Sequence, residues 1–266
     1  MRKWKHYFTM YWLLQKQNMK ALLEYRADFL IMMFFTVLSQ GCNLAVIGII
    51  YSNIPAVGGW KFGEVLLLYG FLLFTEGSIN FFFQGAWKIT QMINQAEIDR
   101  YIIRPLPLGL QMLTSRIDFD GLNKMGIGVA VFVYGASQCD IQWSVKKIVI
   151  LLLSVVLACL IRACLIWIAS CTSFWLEGTK NHVNFFVSTI GDMAKYPLTI
   201  YPPLLKGVFA YVIPYAFISY YPMGYLLGKE GMEIGVCLLP VVLGVVFFAA
   251  KIQLRAGMAR YESSGN

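Results

Sequence analysis

The chain has 266 residues, 58% of them hydrophobic and 14% charged, with a formal net charge of +8. Soluble domains carry about 25% charged residues, so this composition excludes an ordinary soluble enzyme and places the chain in a membrane. The positive balance does not indicate a nucleic-acid partner, because Lys and Arg are spread among short polar stretches and form no continuous basic face.

Each helical crossing needs about 20 apolar residues, so the length suits a single all-α bundle. Residues 1–26 form a separate first unit. Trp4, Phe8, Tyr11, Trp12, Met19 and Leu22 share one helical face, and Lys5, Thr9, Lys16 and Lys20 lie near the opposite one. That pattern predicts an amphipathic cationic helix in the headgroup layer. The same charges serve equally as an orientation signal. The segment lacks a continuous apolar core, so no cleavable signal peptide is expected.

The membrane unit, residues 27–266, begins with a crossing over Phe29–Ile50. A turn with Pro55, Gly58 and Gly59 leads to a second crossing, Val65–Phe83. A charged stretch follows, within a loop of about residues 86–112. It carries Glu97, Asp99, Arg100 and Arg104, then Pro105 and Pro107, the pattern of a helix with a hard stop. The third crossing, Gly121–Tyr134, is short and is expected to reach back toward Leu113. The fourth, Ile148–Trp175, is the longest apolar run.

The remainder is irregular. A fifth crossing is expected over Asn181–Tyr201. Pro202, Pro203, Pro214 and Pro222 then exclude one straight helix. The predicted element over residues 202–230 is a proline-broken re-entrant hairpin, since irregular backbone at membrane depth must be covered by protein or water. A sixth crossing, Ile234–Ala250, ends the bundle. With both termini in the cytoplasm, 15 Lys/Arg fall on inner segments and six on outer ones, with Arg162 inside a span. This excess has the sign the positive-inside rule requires. No fixed-period repeat is evident.

Two ionisable residues fall inside apolar spans, Glu76 in the second and Arg162 in the fourth, at compatible depth. Isolated charges there cost at least about 2.5–3.5 kcal/mol on insertion scales. They face the bundle interior, and the sequence is compatible both with a structural ion pair and with the lining of a translocation route. The aromatic run Phe81–Phe83, with Phe82 at its centre, suits an apolar route or simple packing against lipid. Tyr201 and Tyr215, on the proline-broken segment, suit a gate or an interfacial belt.

Catalytic signatures are lacking. The two histidines, His6 and His182, have no second ligand at metal spacing. The six cysteines form no paired motif and read as small buried apolar residues. No G-x-x-x-x-G-K-[ST] occurs, so any ATP chemistry belongs to another subunit.

The element order resembles that of ABC-2 type exporter permeases, and more narrowly a six-span branch with an acidic-then-Arg-Pro loop. Here that loop reads from Glu97 through Asp99, Arg100, Tyr101 and Arg104 to Pro105. Phe174-Trp175, Tyr196-Pro197 and Tyr201-Pro202 carry the same resemblance. It implies a non-enzymatic export subunit of the cytoplasmic membrane. Its partners would be two cytosolic ATP-binding-cassette ATPases, which bind ATP and Mg, and a second permease chain, like or unlike. The loop helix, about Ile93–Ile103, would dock on the ATPase through Glu97, Asp99, Arg100, Tyr101, Arg104 and Pro105. An ion-coupled secondary transporter and a membrane anchor for a cytosolic complex are the competing readings.

Overall fold

A computed structural model of the chain describes Leu13 and residues 26–104, 106–176 and 182–261. The expected interfacial helix and Pro105 lie outside the described residues. The described residues are helical, with one isolated bridge between Val57 and Trp60 in the first turn.

Among the described residues, four helices are long and apolar enough to cross a membrane: Phe29–Asn53, Phe62–Phe83, Val145–Phe174 and Met232–Arg260. They belong to helices here called α1 (Arg26–Asn53), α2 (Phe62–Phe83), α7 (Val145–Cys171, extended by a 3-10 turn to Phe174) and α11 (Met232–Arg260). Between α2 and α7 lie α3 (Gly85–Asn94), α4 (Asp99–Ile102), α5 (Leu108–Leu113) and α6 (Asp120–Ser137). After α7 come α8 (His182–Met193), α9 (Pro203–Gly207) and α10 (Tyr220–Leu226).

Helix α2 is the buried centre, with nearly every residue from Val65 to Leu73 covered. Its chief partner is the antiparallel α6. The two meet along a seam of glycines spaced by seven, with Gly63, Gly70 and Gly77 of α2 facing Gly135, Gly128 and Gly121 of α6. A methyl group at any of the six would lie only 2.5–2.9 Å from an atom across the seam. Small residues let membrane helices approach this closely, and a seven-residue repeat holds the seam in register along both helices. This is a periodic feature that the sequence reading overlooked.

Three expected boundaries change. The third crossing does not extend back to Leu113, because α5 ends there and residues 114–119 are not helical. The fifth is interrupted. Helix α8 has 12 residues, about 18 Å at 1.5 Å per residue, and stops at Met193 ahead of Pro197. Next comes the bent element: Pro203–Val212, ending in a π-helical turn, and Tyr215–Leu226 meet at 76° about Pro214. The last helix runs ten residues past Ala250, because its charged final turns pack on the loop between α3 and α5. Finally, Cys42 and Cys237 are exposed on α1 and α11, so the cysteines are not uniformly buried.

The two ends of the bundle are distinct. At one, Lys229 donates to the Glu64 carboxylate at 2.9 Å, and its ammonium lies 4.4 Å from the centre of the buried Trp60 ring. Lys147 reaches the carbonyl of Leu226 at 2.9 Å. At the other end, α3 and α5 pack against the final turns of α7 and α11.

Candidate functional site

The seam between α2 and α6 positions a charged cluster inside the bundle. Glu76, next to Gly77, receives the Lys124 ammonium of α6 at 2.9 Å and the Arg162 guanidinium of α7 at 3.0 Å, one on each oxygen. Lys124 also lies 3.3 Å from Asp120, one turn earlier on α6, and Asp120 accepts a hydrogen bond from Thr36 of α1. Arg162, only 4% exposed, donates to the Leu72 carbonyl at 3.1 Å and the Thr75 hydroxyl at 3.4 Å. A single acidic residue thus joins α2 to both α6 and α7.

The cluster borders a polar cavity of about 310 Å³, lined by Glu76, Asn80, Gln84, Trp87, Lys124, Arg162, Ser188 and Asp192. Asp192 pairs with Lys195 at 2.7 Å. A larger, apolar cavity of about 580 Å³ lies between α7, α8, the bent element and α11. Tyr215 is buried beneath Arg162, with its ring centre 5.9 Å from the guanidinium carbon, and its hydroxyl end abuts Gly191. Tyr201 stands apart from the charges. Its hydroxyl donates to the Met193 carbonyl at 2.7 Å and its ring meets Phe209. Phe82 meets Phe81 edge to face, 4.9 Å between ring centres, is 37% exposed, and does not line the polar cavity.

The loop is built on a small core of its own. Ile89 and Met92 of α3, Ile98, and Met112 of α5 are buried together with Trp167, Cys171 and Phe174 at the end of α7 and Ala250 of α11. The expected continuous helix over residues 93–103 is broken. Helix α3 stops at Asn94, Ala96 takes a left-handed φ of 52°, and α4 restarts at Asp99. The Glu97 N–H reaches the Met92 carbonyl at 2.9 Å and the Ala96 N–H that of Ile93 at 3.3 Å, the pairing of a Schellman stop. Alanine in place of the usual glycine costs about 1–2 kcal/mol there.

Gln111, 4% exposed, donates to the carbonyls of Tyr101 and Leu106 and so closes the loop on itself. Glu97 pairs with Arg100. The Arg100 and Arg104 guanidinium carbons lie 5.8 and 5.5 Å from the Tyr101 ring centre. Ile102 is 49% exposed and Ile103 84%. Asp99 faces inward toward Tyr261, just beyond α11. Burial and that carboxylate push the Tyr261 phenol up to about 12. Asp99 is half-buried, and Arg100, Ile103 and Arg104 are exposed.

A family model described as ABC-2 family transporter protein matches residues 37–265. The chain belongs to that family. No curated protein and no solved structure matches it. As an ABC-2 family member it is a multi-pass membrane transport component that is not itself catalytic, and permeases of this family normally pair with ATP-binding-cassette subunits.

Within this ABC-2 chain the residues singled out from sequence fall into separate places. Glu76 and Arg162 meet, Tyr215 supports Arg162, and Phe82 and Tyr201 lie elsewhere. Lys124, Asp120, Asp192 and Trp87 were overlooked. Lys124 and Asp120 sit four apart at the start of a helix, which resembles an ordinary solvated flank. The available signal was the spacing of Gly121 and Gly128 around Lys124, which matches Gly70 and Gly77 around Glu76.

Proposed function

We propose that the chain is the membrane subunit of an exporter driven by ATP hydrolysis on two separate cytosolic ATPases, acting together with a second permease chain in the cytoplasmic membrane. The observation that carries this reading is the loop. Its exposed tip, Ile102, Ile103, Arg100 and Arg104, sits on a buried core shared with the ends of α7 and α11. A surface built this way receives a partner and passes displacement to two spans at once, which a solvated turn does not.

The topology in this proposal has six crossings with both termini cytoplasmic. α1, α2, α6, α7 and α11 supply five. α8 and the bent element together supply the other, the bent element entering from the outer face. The arrangement puts the loop, the end of α7 and the end of α11 on one side, in agreement with their shared core, and follows the Lys/Arg excess. Glu76, Lys124 and Arg162 then lie on the route.

The test is transport by the assembled complex in vesicles carrying Ile103→Asp together with Arg104→Glu. Both side chains are exposed, so thermal stability of the permease stays unchanged while ATP-driven transport falls at least tenfold. Undiminished transport in that variant refutes the docking role.

A further inference from the structure

We infer that the apolar groove between α7, α8, the bent element and α11 holds one acyl chain of a bilayer phospholipid. This goes beyond the export reading and does not depend on it.

The groove has a buried floor and an exposed rim. Leu165, Ala169, Val187, Phe217 and Val246 are buried along it, while Tyr211, Val212, Val241 and Val245, which also line it, are exposed. The space therefore opens on the outside of the bundle. It does so between two spans, where the surrounding medium is hydrocarbon. The 76° bend makes one corner, with Ile213 and Pro214 in the wall.

Water does not suit this space. Only Thr172 and Tyr211 among the lining residues carry a polar side-chain atom, and the Thr172 hydroxyl already donates to the Ala169 carbonyl at 2.6 Å. A buried water makes about three hydrogen bonds. Emptiness is no better, because the cost of an apolar void rises with its volume. At about 580 Å³ it would rival the whole stability of an ordinary domain.

A protein segment is too thick. On α11 the lining runs from Leu238 to Ala249, about 16 Å at 1.5 Å per residue. Dividing the volume by that length gives a cross-section of about 35 Å². A helix about 10 Å across occupies roughly 80 Å², and an extended peptide would bring unpaired backbone groups into hydrocarbon. An acyl chain is thin and has no polar group along its length. The groove's length is about half of the ~30 Å hydrocarbon thickness, the reach of a chain within one leaflet.

The test uses the full chain in phosphatidylcholine nanodiscs, a small part of the lipid carrying a diazirine near the end of one acyl chain. No ATPase is present, so failure here leaves the export reading untouched. After irradiation, adducts are mapped by mass spectrometry of the digested chain. Adducts are expected on Ala169, Val187, Phe217 or Val246, which a lipid on the outer surface does not reach. Ala169→Phe fills the floor and should lower the adducts on Val187 and Val246 about tenfold, the smaller overpacking costs read as binding. Adducts on the exposed Phe34 and Phe35 of α1 should stay constant. Val242→Trp, at a half-buried wall position, narrows the same groove and carries the same expectation if Ala169→Phe does not fold. Adducts on the rim beside an unlabelled floor overturn the inference and leave a groove closed or covered by a second copy. So do floor adducts that neither substitution lowers.

Discussion

Replacing Gly70 by alanine tests the seam on which the charged cluster depends. The new methyl would lie 2.6 Å from the Phe132 nitrogen, 2.7 Å from the Gly128 carbonyl oxygen and 2.9 Å from the Phe132 Cα. All three are backbone atoms, so no side chain can swing aside, and α2 and α6 must separate until the closest gap reaches about 3.4 Å. Overpacking of this kind costs about 1–3 kcal/mol, and parting the helices also loses dispersion contacts along the seam. Alanine returns about 1 kcal/mol in helix propensity, leaving a net loss of up to about 2 kcal/mol. Gly126 on α6 is the internal control: it is exposed and nothing lies within 4 Å of the added methyl, so Gly126→Ala keeps the propensity gain alone. Equilibrium unfolding of both variants in the same detergent should therefore give shifts of opposite sign. Equal stability of the two refutes the close seam. The Gly70 variant should also lose transport, since parting α2 from α6 lengthens the 2.9 Å contact between Glu76 and Lys124.

Two further outcomes concern groups beyond the ends of the spans. Burial raises the Asp118 carboxyl above its ordinary value. The folded state therefore binds its proton more tightly than the unfolded state, and stability falls as pH rises from the ordinary carboxylate range through the raised value. Asp118→Asn should raise the melting temperature at neutral pH and flatten that dependence, with Gln84, 3.4 Å away, turning its amide to match; a lower melting temperature at neutral pH contradicts the assignment. Tyr261→Phe keeps the ring against Phe174, 6.3 Å between centres, and removes only the hydroxyl facing Asp99. Stability should hold or rise slightly, because the buried hydroxyl has no hydrogen-bond partner to lose. Wild-type stability should be level below pH 10 and fall as pH rises toward about 12, where the raised phenol ionises, and that fall should shrink in Asp99→Asn. An undiminished fall in Asp99→Asn rules the contact out.

The spans were legible because crossing a bilayer is a local demand: about 20 apolar residues in a row, whatever their neighbours. Glu76 and Arg162 were legible for the same reason, as charges in apolar surroundings. Features set by tertiary contact were not. Lys251, Arg255 and Arg260 suggested the end of a helix, yet the helix continues because its far turns cover the loop core. Ala96 gives no glycine to announce a left-handed stop, so the loop helix looked continuous. Nothing in the local sequence of Asp99 points to its neighbour Tyr261, more than 160 residues away. The glycine spacing was present in the sequence, but its meaning emerges only when two helices are set side by side.

The same contacts decide which bond yields when the loop is displaced. Arg162 lies five residues, about 7.5 Å along the axis, from Trp167, which is part of the loop core. A push on the loop therefore reaches Arg162 through little more than one turn of α7. Glu76 cannot follow freely, because the glycine seam fixes α2 to α6, and Lys124 holds Glu76 from that side. A movement of α7 by about 1 Å directly away from the α2–α6 pair takes the 3.0 Å contact between Glu76 and Arg162 to the limit of about 4 Å for an ion pair, while the contact with Lys124 is unaffected. The bond across α2 and α7 is thus the one that breaks first. Breaking it leaves the buried guanidinium with the Leu72 carbonyl and the Thr75 hydroxyl alone.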